Sequence, residues 1–183
     1  MSKVIVLDQK RQFRILLHPA RQSVLRLLHL AGRPLSASTV ARWAELSPLA
    51  AKGHLEKLAE LGLVDMLRRE GVTGPESVRY VPADVELRLR LGRKDGLQGE
   101  REALAAEIAD AVFRGSLGAA RRGSEEDLGE RCLFAFGALH LTRQEREELS
   151  ALVADYLAAH SRPAPQSEEH WEYVLIADRF QEE

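Results

Sequence analysis

Five cations stand out in this sequence for their placement: Lys52 and Lys57 on one amphipathic stretch, and Arg68, Arg69 and Arg79 around one turn-rich loop. Ammonium and guanidinium groups at such sites do the chemistry of polyanion recognition, neutralising phosphates along a nucleic-acid backbone. Lys52 can reach either a phosphate or a guanine edge, and Leu49 or Ala50 beside it can touch a thymine methyl. Ser47, Pro48, Gly53 and His54 complete the stretch. His54 reads equally as a packed or hydrogen-bonding helix residue and as a phosphate contact. Gly53 costs about 1 kcal/mol relative to alanine inside a helix; it either admits a close backbone approach or is incidental.

The elements that must position these groups lie between Leu35 and Val64, LSASTVARWAELSPLAAKGHLEKLAELGLV. Ser36 caps a first helix over Ala37 to Glu45, with Val40, Ala41 and Ala44 inward. Ser47 caps a second, and Pro48 takes its first position, where a missing N–H costs nothing. Ala51, Leu55, Leu58 and Gly62 share one stripe of that second helix, which turns Leu49, Lys52, Gly53 and Glu56 outward. Gly62 suits a left-handed stop. Two helices across a short turn, the second with its N-terminal half exposed, predict a helix-turn-helix. The strands predicted at Leu63 to Arg69 and Val78 to Val81 then form a hairpin around EGVTGPES, a two-stranded wing whose alternative reading is a solvated edge protected by charge.

The net charge of −2 conceals an asymmetry. Residues 1–94 hold 17 Lys and Arg against 9 Asp and Glu, whereas residues 95–183 hold 9 against 19. A basic half carrying the helix-turn-helix points to nucleic acid, with the acidic half facing away from it. Aromatic residues are only 5% of the chain, which argues against a stacking platform for single strands or RNA. Cys132 is the only cysteine, so it closes no internal disulfide; with no resolving partner it reads as a small buried residue. No apolar run approaches the roughly 18 residues of a membrane span, and the Val4 to Leu7 run is too short for a signal-peptide core, so the expected address is the cytoplasm, with no membrane partner.

Upstream, Asp8 to Leu17 and Pro19 to Ala31 predict two helices divided at His18-Pro19, the second stopped by Gly32. Downstream, Asp84 to Arg93 reads as helical, and the stretch from Gly92 to Gly99 as a linker. Glu100 to Arg122 predicts a long helix with Leu104, Ile108, Ala111 and Val112 on one side, facing either its own chain or a second copy. Gly123 to Asp127 is an acidic loop. Leu133 to Leu141 fits a buried strand or a short helix. Thr142 and Glu145 form a capping box for a helix to about His160, with Leu149, Leu152, Val153, Tyr156 and Leu157 buried. Trp171 to Ala177 reads as a last strand. The expected fold is mainly α (α+β): a winged helix-turn-helix DNA-binding domain over 1–94, and over 95–183 a helical dimerisation and possible effector domain with a small β element.

Two stretches carry a family resemblance. LLHPARQSVLRLL (Leu16 to Leu28) has an HP-x-R step before its core helix, and KGHLEKLAELGLV (Lys52 to Val64) has an HL-x-x-L-x-x-x-GLV pattern. In this order and spacing they resemble the ArsR-like winged helix-turn-helix transcriptional regulators, over roughly Leu7 to Pro82. The resemblance implies homodimeric binding of double-stranded operator DNA and control of transcription, usually repression, with recognition-helix contacts falling on Pro48 to His54. Few side chains of that stretch can make bidentate base contacts, unlike relatives rich there in Ser, Thr and Gln. Many ArsR-type proteins sense metals through cysteines beside the recognition helix, but Ala37 to Glu45 contains none. Asp155, His160 and His170 do not reproduce the family's other, C-terminal ligand spacing. No metal sensor and no cofactor are expected.

These readings lead to a homodimeric DNA-binding regulator, with helix 48–61 in the major groove and wing 68–79 on the phosphate backbone. An unknown small-molecule effector of the C-terminal half is open. The alternatives are a winged-helix protein-interaction module within a transcription complex, and an enzyme with a DNA-binding head. Against the last, the sequence shows no Gly-rich phosphate loop, HExxH, G-x-S-x-G or zinc-deaminase signature, and no catalytic residues are assigned.

Overall fold

The computed structural model describes residues 3–68, 70–71, 73–74, 77–122, 133–135, 137–161 and 169–176. By contact density the chain divides into two compact units, one of residues 1–112 with 171–183 and one of residues 113–170.

In the first unit, β1 (Lys3–Val6) leads into α1 (Lys10–Leu16), α2 (Pro19–Ala31), α3 (Ala37–Trp43) and α4 (Pro48–Glu60). Proline at the first position of α2 ends α1 before it, and the orphan carbonyls this leaves on α1 are met by side chains of α2. Arg21 Nη1 donates to the carbonyls of Arg14 and Ile15, and Gln22 Nε2 to that of Leu16 at 2.8 Å. Both serine caps form as expected. Ser36 Oγ accepts from the Thr39 N–H and Ser47 Oγ from the Ala50 N–H, each at 3.2 Å. Between α3 and α4 the turn passes through Glu45 at φ 55°, the one positive φ outside glycine among the described residues.

The strand β2 (Val64–Arg68) pairs antiparallel with β3 (Val78–Pro82) in the register Val64↔Pro82 to Arg68↔Val78. Leu35 and Tyr80 exchange backbone bonds of 3.0 and 2.8 Å, which fastens the entry of α3 to the hairpin. Phe13, Val24, Leu28, Leu35, Val40, Ala51, Leu55, Leu58 and Tyr80 fill the core. Helices α2, α3 and α4 with this hairpin make the winged helix-turn-helix that the sequence predicts.

The expected helix over Asp84 to Arg93 is not there. Val85–Arg88 is instead a strand, β4, paired parallel with β1. The reason lies in VELRLRL, whose apolar residues alternate strictly, so that Val85 and Leu87 turn partly inward while Glu86 and Arg88 face solvent. The following stretch, read as a linker, is pinned. Arg101, on α5 (Gln98–Arg122), is 3% exposed and bonds Asp95 Oδ1 at 2.6 Å and the Arg93 carbonyl. That guanidinium and the Leu97 N–H hold the Asp95 carboxyl below its ordinary pKa. Leu104 of α5 is buried in the same core, so this part of the helix faces its own chain. Past the second unit, Trp171 to Ile176 forms no strand; Ala177 lies outside the described residues. Arg26 of α2 holds this segment through Glu172, with both bonds at 2.6 Å.

In the second unit, α6 (Arg143–His160) begins with the expected capping box. Thr142 Oγ1 accepts from the Glu145 N–H at 3.2 Å, and Glu145 Oε2 accepts from the Thr142 N–H at 2.7 Å, which lowers the Glu145 pKa. Its expected buried face is not buried: Val153 and Leu157 are only half covered, and Leu152 and Tyr156 are 66% and 62% exposed. Leu133 to Leu141 is neither strand nor helix where it is described, and Leu133 is 84% exposed. The acidic loop from Gly123 to Asp127, Cys132 and Phe136 lie outside the described residues.

The end of α4 is the most sharply built stop in the fold. The Gly62 N–H bonds the Ala59 carbonyl at 2.9 Å and the Leu63 N–H bonds the Leu58 carbonyl at 3.1 Å, with Gly62 at φ 72° and both leucines buried. A Cβ on Gly62 would meet only Ile5 Cδ1 at 3.6 Å, an ordinary contact. Gly62→Ala therefore carries the left-handed backbone cost alone, and denaturant unfolding should show a loss of about 1 kcal/mol.

Candidate nucleic-acid interface

Burial of Ala51, Leu55 and Leu58 against the core fixes the rotation of α4. Ser47, Pro48, Leu49, Lys52 and Glu56 are exposed as a result, Leu49 at 81%. Ala50, His54 and Lys57 are half-buried toward the borders of the buried stripe, and Gly53 is half-buried on the outer side, opposite that stripe. The Ser47 hydroxyl oxygen is engaged in its cap, but its O–H can still donate outward.

The two lysines of α4 are less available than their spacing suggests. Lys52 Nζ stands 3.7 Å from Glu56 Oε1, one turn on. Lys57 Nζ bonds Glu60 Oε1 at 2.6 Å, and Glu60 Oε2 also takes Arg11 Nη2 at 3.1 Å. These cations hold the Glu60 carboxyl below its ordinary pKa. Each lysine thus has an acidic neighbour on its own helix, and two Lys balance two Glu in α4. Such exposed pairs contribute little to stability and can exchange for a phosphate.

The wing carries Arg68 and Arg79, and Arg69 lies outside the described residues. The register sets Arg68 opposite Val78 and Arg79 opposite Leu67. Residues directly opposed share a face, and successive residues alternate, so Arg68 and Arg79 project from opposite faces of the hairpin. Arg68 lies on the face that buries Tyr80 and Val64, beyond the edge of the core; Arg79 lies on the other. The structure therefore does not gather Arg68 and Arg79 into one patch.

Two features of this surface escaped the sequence reading. Ser36, Ser38, Thr39 and Arg42 line an open cleft on α3, three hydroxyls and a guanidinium together. The signal was the hydroxyl-rich SAST run, read only for its cap. His18 at the head of α2 also reaches α4, its ring centroid 4.9 Å from that of His54. Its signal was the HP step, read only as a helix break.

With this geometry in place, the chain can be compared with known proteins. Residues 16–66 match the family model of a helix-turn-helix domain. The matched span runs from the last residue of α1 to the third of β2, and so takes in α2, α3 and α4 whole. A search of curated proteins gave no match. Among solved structures the chain is similar to YusO from Bacillus subtilis, at 15% identity over 82% of this chain and 81% of that one, with a TM-score of 0.36. It is also similar to a mutant of ZitR from Lactococcus lactis in apo form, at 18% identity over 81% and 86%, TM-score 0.35. A third is a MarR family transcription regulator, at 14% identity over 82% and 80%, TM-score 0.35. These overlaps are too loose to add to the helix-turn-helix match. Among the described residues, no helix is long and apolar enough to cross a membrane.

Gly53 gives this surface a direct test. A Cβ there would meet nothing within 4 Å. Gly53→Ala should raise stability by about 1 kcal/mol in thermal or denaturant unfolding, since it removes only the helix penalty of glycine. If a duplex backbone approaches that position closely, the same change will weaken duplex binding while it stabilises the fold.

Proposed function

We propose that this chain is a DNA-binding transcriptional regulator of the ArsR-like type, a repressor acting as a homodimer. One observation carries the reading: within a helix-turn-helix domain, the outer side of α4 from Ser47 to Lys52 is exposed and capped, with no described residue of its own unit over it. An α-helix about 10–12 Å across fits the major groove of B-DNA, about 12 Å wide. In this reading α4 enters that groove, with Leu49 and Ala50 toward thymine methyls and Lys52 toward a phosphate or guanine. The α3 cleft with Ser38, Thr39 and Arg42 lies along the backbone, as the first helix of the motif does. Arg68, with Arg79 on the other side of the hairpin, contributes backbone contacts from the wing. The duplex-binding surface then falls within residues 1–94.

The homodimer rests on the second unit. Its large exposed apolar side chains include Phe113, Leu133, Phe134, Leu139, Leu152 and Tyr156. Covering each contributes on the order of 1.5–3 kcal/mol, and a stable interface takes about 800 Å² from each partner. A second copy supplies that cover symmetrically, which puts the dimerisation surface within residues 95–183 and predicts a pseudo-palindromic site.

Three measurements test this reading. Anisotropy titrations of a labelled duplex should show affinity falling steeply with salt, with losses on Lys52→Ala and Arg68→Ala; a flat salt response would remove phosphate-driven binding. Glu56→Gln should tighten binding roughly two- to fivefold, because it frees Lys52 and removes a like charge from the groove. Sedimentation should give a dimer for the wild type and a monomer for Leu152→Glu/Tyr156→Glu; a wild-type monomer at micromolar concentration would refute the dimer.

The charge balance of α4 favours a second reading, a protein-interaction module within a transcription complex. Its outer side offers Leu49, and the wing adds exposed Met66 and Leu67. Failure to bind any duplex at low salt, together with capture of a protein partner lost on Leu49→Asp, would select it.

A further inference from the structure

The pairing of His18 with His54 is not used by the interface as described. The two rings lie 4.9 Å apart between centroids, with their planes at 51°. His18 is exposed and His54 half-buried on one shoulder of α4, between the buried stripe and the outer side. Lys52 occupies the opposite shoulder. A helix that nearly fills the major groove has its shoulders at the groove walls, where the phosphates run.

The charges acting on the His54 ring are His18 and Arg21, both brought by α2. Desolvation of the ring and then these two neighbours hold its pKa below the ordinary 6.5. Arg21 is fixed nearby by the α1 carbonyls it caps. The other charged groups of α4 and of the elements packed against it are not among those acting on the ring: Arg11 of α1 and Lys57 of α4 are taken by Glu60, Lys52 faces Glu56, Lys10 of α1 pairs with Glu100 and Arg26 of α2 with Glu172, α1 also carries Arg14, α2 His29, α3 Arg42, and β2 Asp65 and Arg68. Among the described residues, then, no carboxylate stands among the charges acting on the His54 ring. A phosphodiester at the groove wall is the counter-charge that would support a charged imidazole.

We propose that His18 and His54 form a phosphodiester contact that becomes charged by protons taken up as the duplex binds, making operator affinity pH-dependent. The inference rests on the duplex-binding reading above. The sign follows from linkage. Free His54 titrates below the ordinary histidine value, and a phosphate beside the ring raises it, so binding takes up protons between the free and bound values. Affinity is greatest at the acid side of that window and falls as pH rises through it, by up to about tenfold per pH unit for one proton taken up.

Duplex anisotropy from about pH 5.5 to about pH 8 at constant ionic strength tests this. Wild-type affinity should fall with pH, and the His18→Gln/His54→Gln protein should show a flatter slope. In parallel, histidine ring signals of the wild type, followed by NMR, should titrate at higher pH with duplex present; this readout stands even if the double variant folds poorly. Equal slopes in the two proteins, or ring titrations unmoved by duplex, would overturn the inference and leave duplex binding intact. No binding by wild type at any pH in low salt would remove the duplex reading and the inference with it.

Discussion

The burial of one stripe of α4 governs everything on this surface. Ala51, Leu55 and Leu58 are fully excluded from water, so the helix has a single rotation about its axis. At 3.6 residues per turn the same constraint assigns every other position: Leu49 and Glu56 outward, Lys52 to one shoulder and His54 to the other. The flanking devices preserve that setting. Ser47 fixes where the helix starts, Gly62 where it stops, and the Leu35–Tyr80 bridge ties the wing to the same core. The candidate surface is thus the complement of a hydrophobic contact, and small polar changes on it leave its geometry standing.

Electrostatics at this surface operate by exchange. An isolated lysine facing DNA gains a full phosphate contact, whereas Lys52 and Lys57 must first give up glutamates on their own helix. On the proposed duplex reading, that lowers the affinity α4 would supply and leaves more of it to Arg42 and Arg68, off the helix. The positive balance of residues 1–94 therefore overstates the attraction of α4 and describes better the surface around it.

What was legible in the sequence was what local pattern determines. Two serine caps, proline at the first position of α4, a glycine stop and a four-residue stripe each specify one conformation, and they agree. The Thr142–Glu145 box was legible for the same reason. Asp84 to Arg93 was misread because a charged, Leu-rich stretch suggests a helix by composition, while its period of two was the better guide. The position of Arg101 was invisible: that an arginine is buried depends on a partner, Asp95, which its own neighbours do not announce. The opposite facing of Arg68 and Arg79 depends on strand register, which in turn depends on how many residues the loop between them spends in the turn. The His18–His54 pairing joins residues 36 positions apart in the chain and follows only once α2 is packed on α4.

The second unit shows the limit of periodicity itself. Leu149, Leu152, Val153, Tyr156 and Leu157 have the spacing of a buried face as clearly as the residues of α4 do, yet on α6 that face is largely in solvent. An amphipathic stripe records that a face is selected to be covered, and carries no information on whether the cover comes from the same chain. On α5 the two cases meet within one element: Leu104 and Arg101 are covered by their own unit, whereas Phe113 and Leu117 beyond them are exposed. A face that its own unit leaves uncovered must find its cover in another part of the assembly or remain a liability for aggregation. The proposed self-association would meet that liability with a single surface, because a two-fold axis makes each copy the cover of the other.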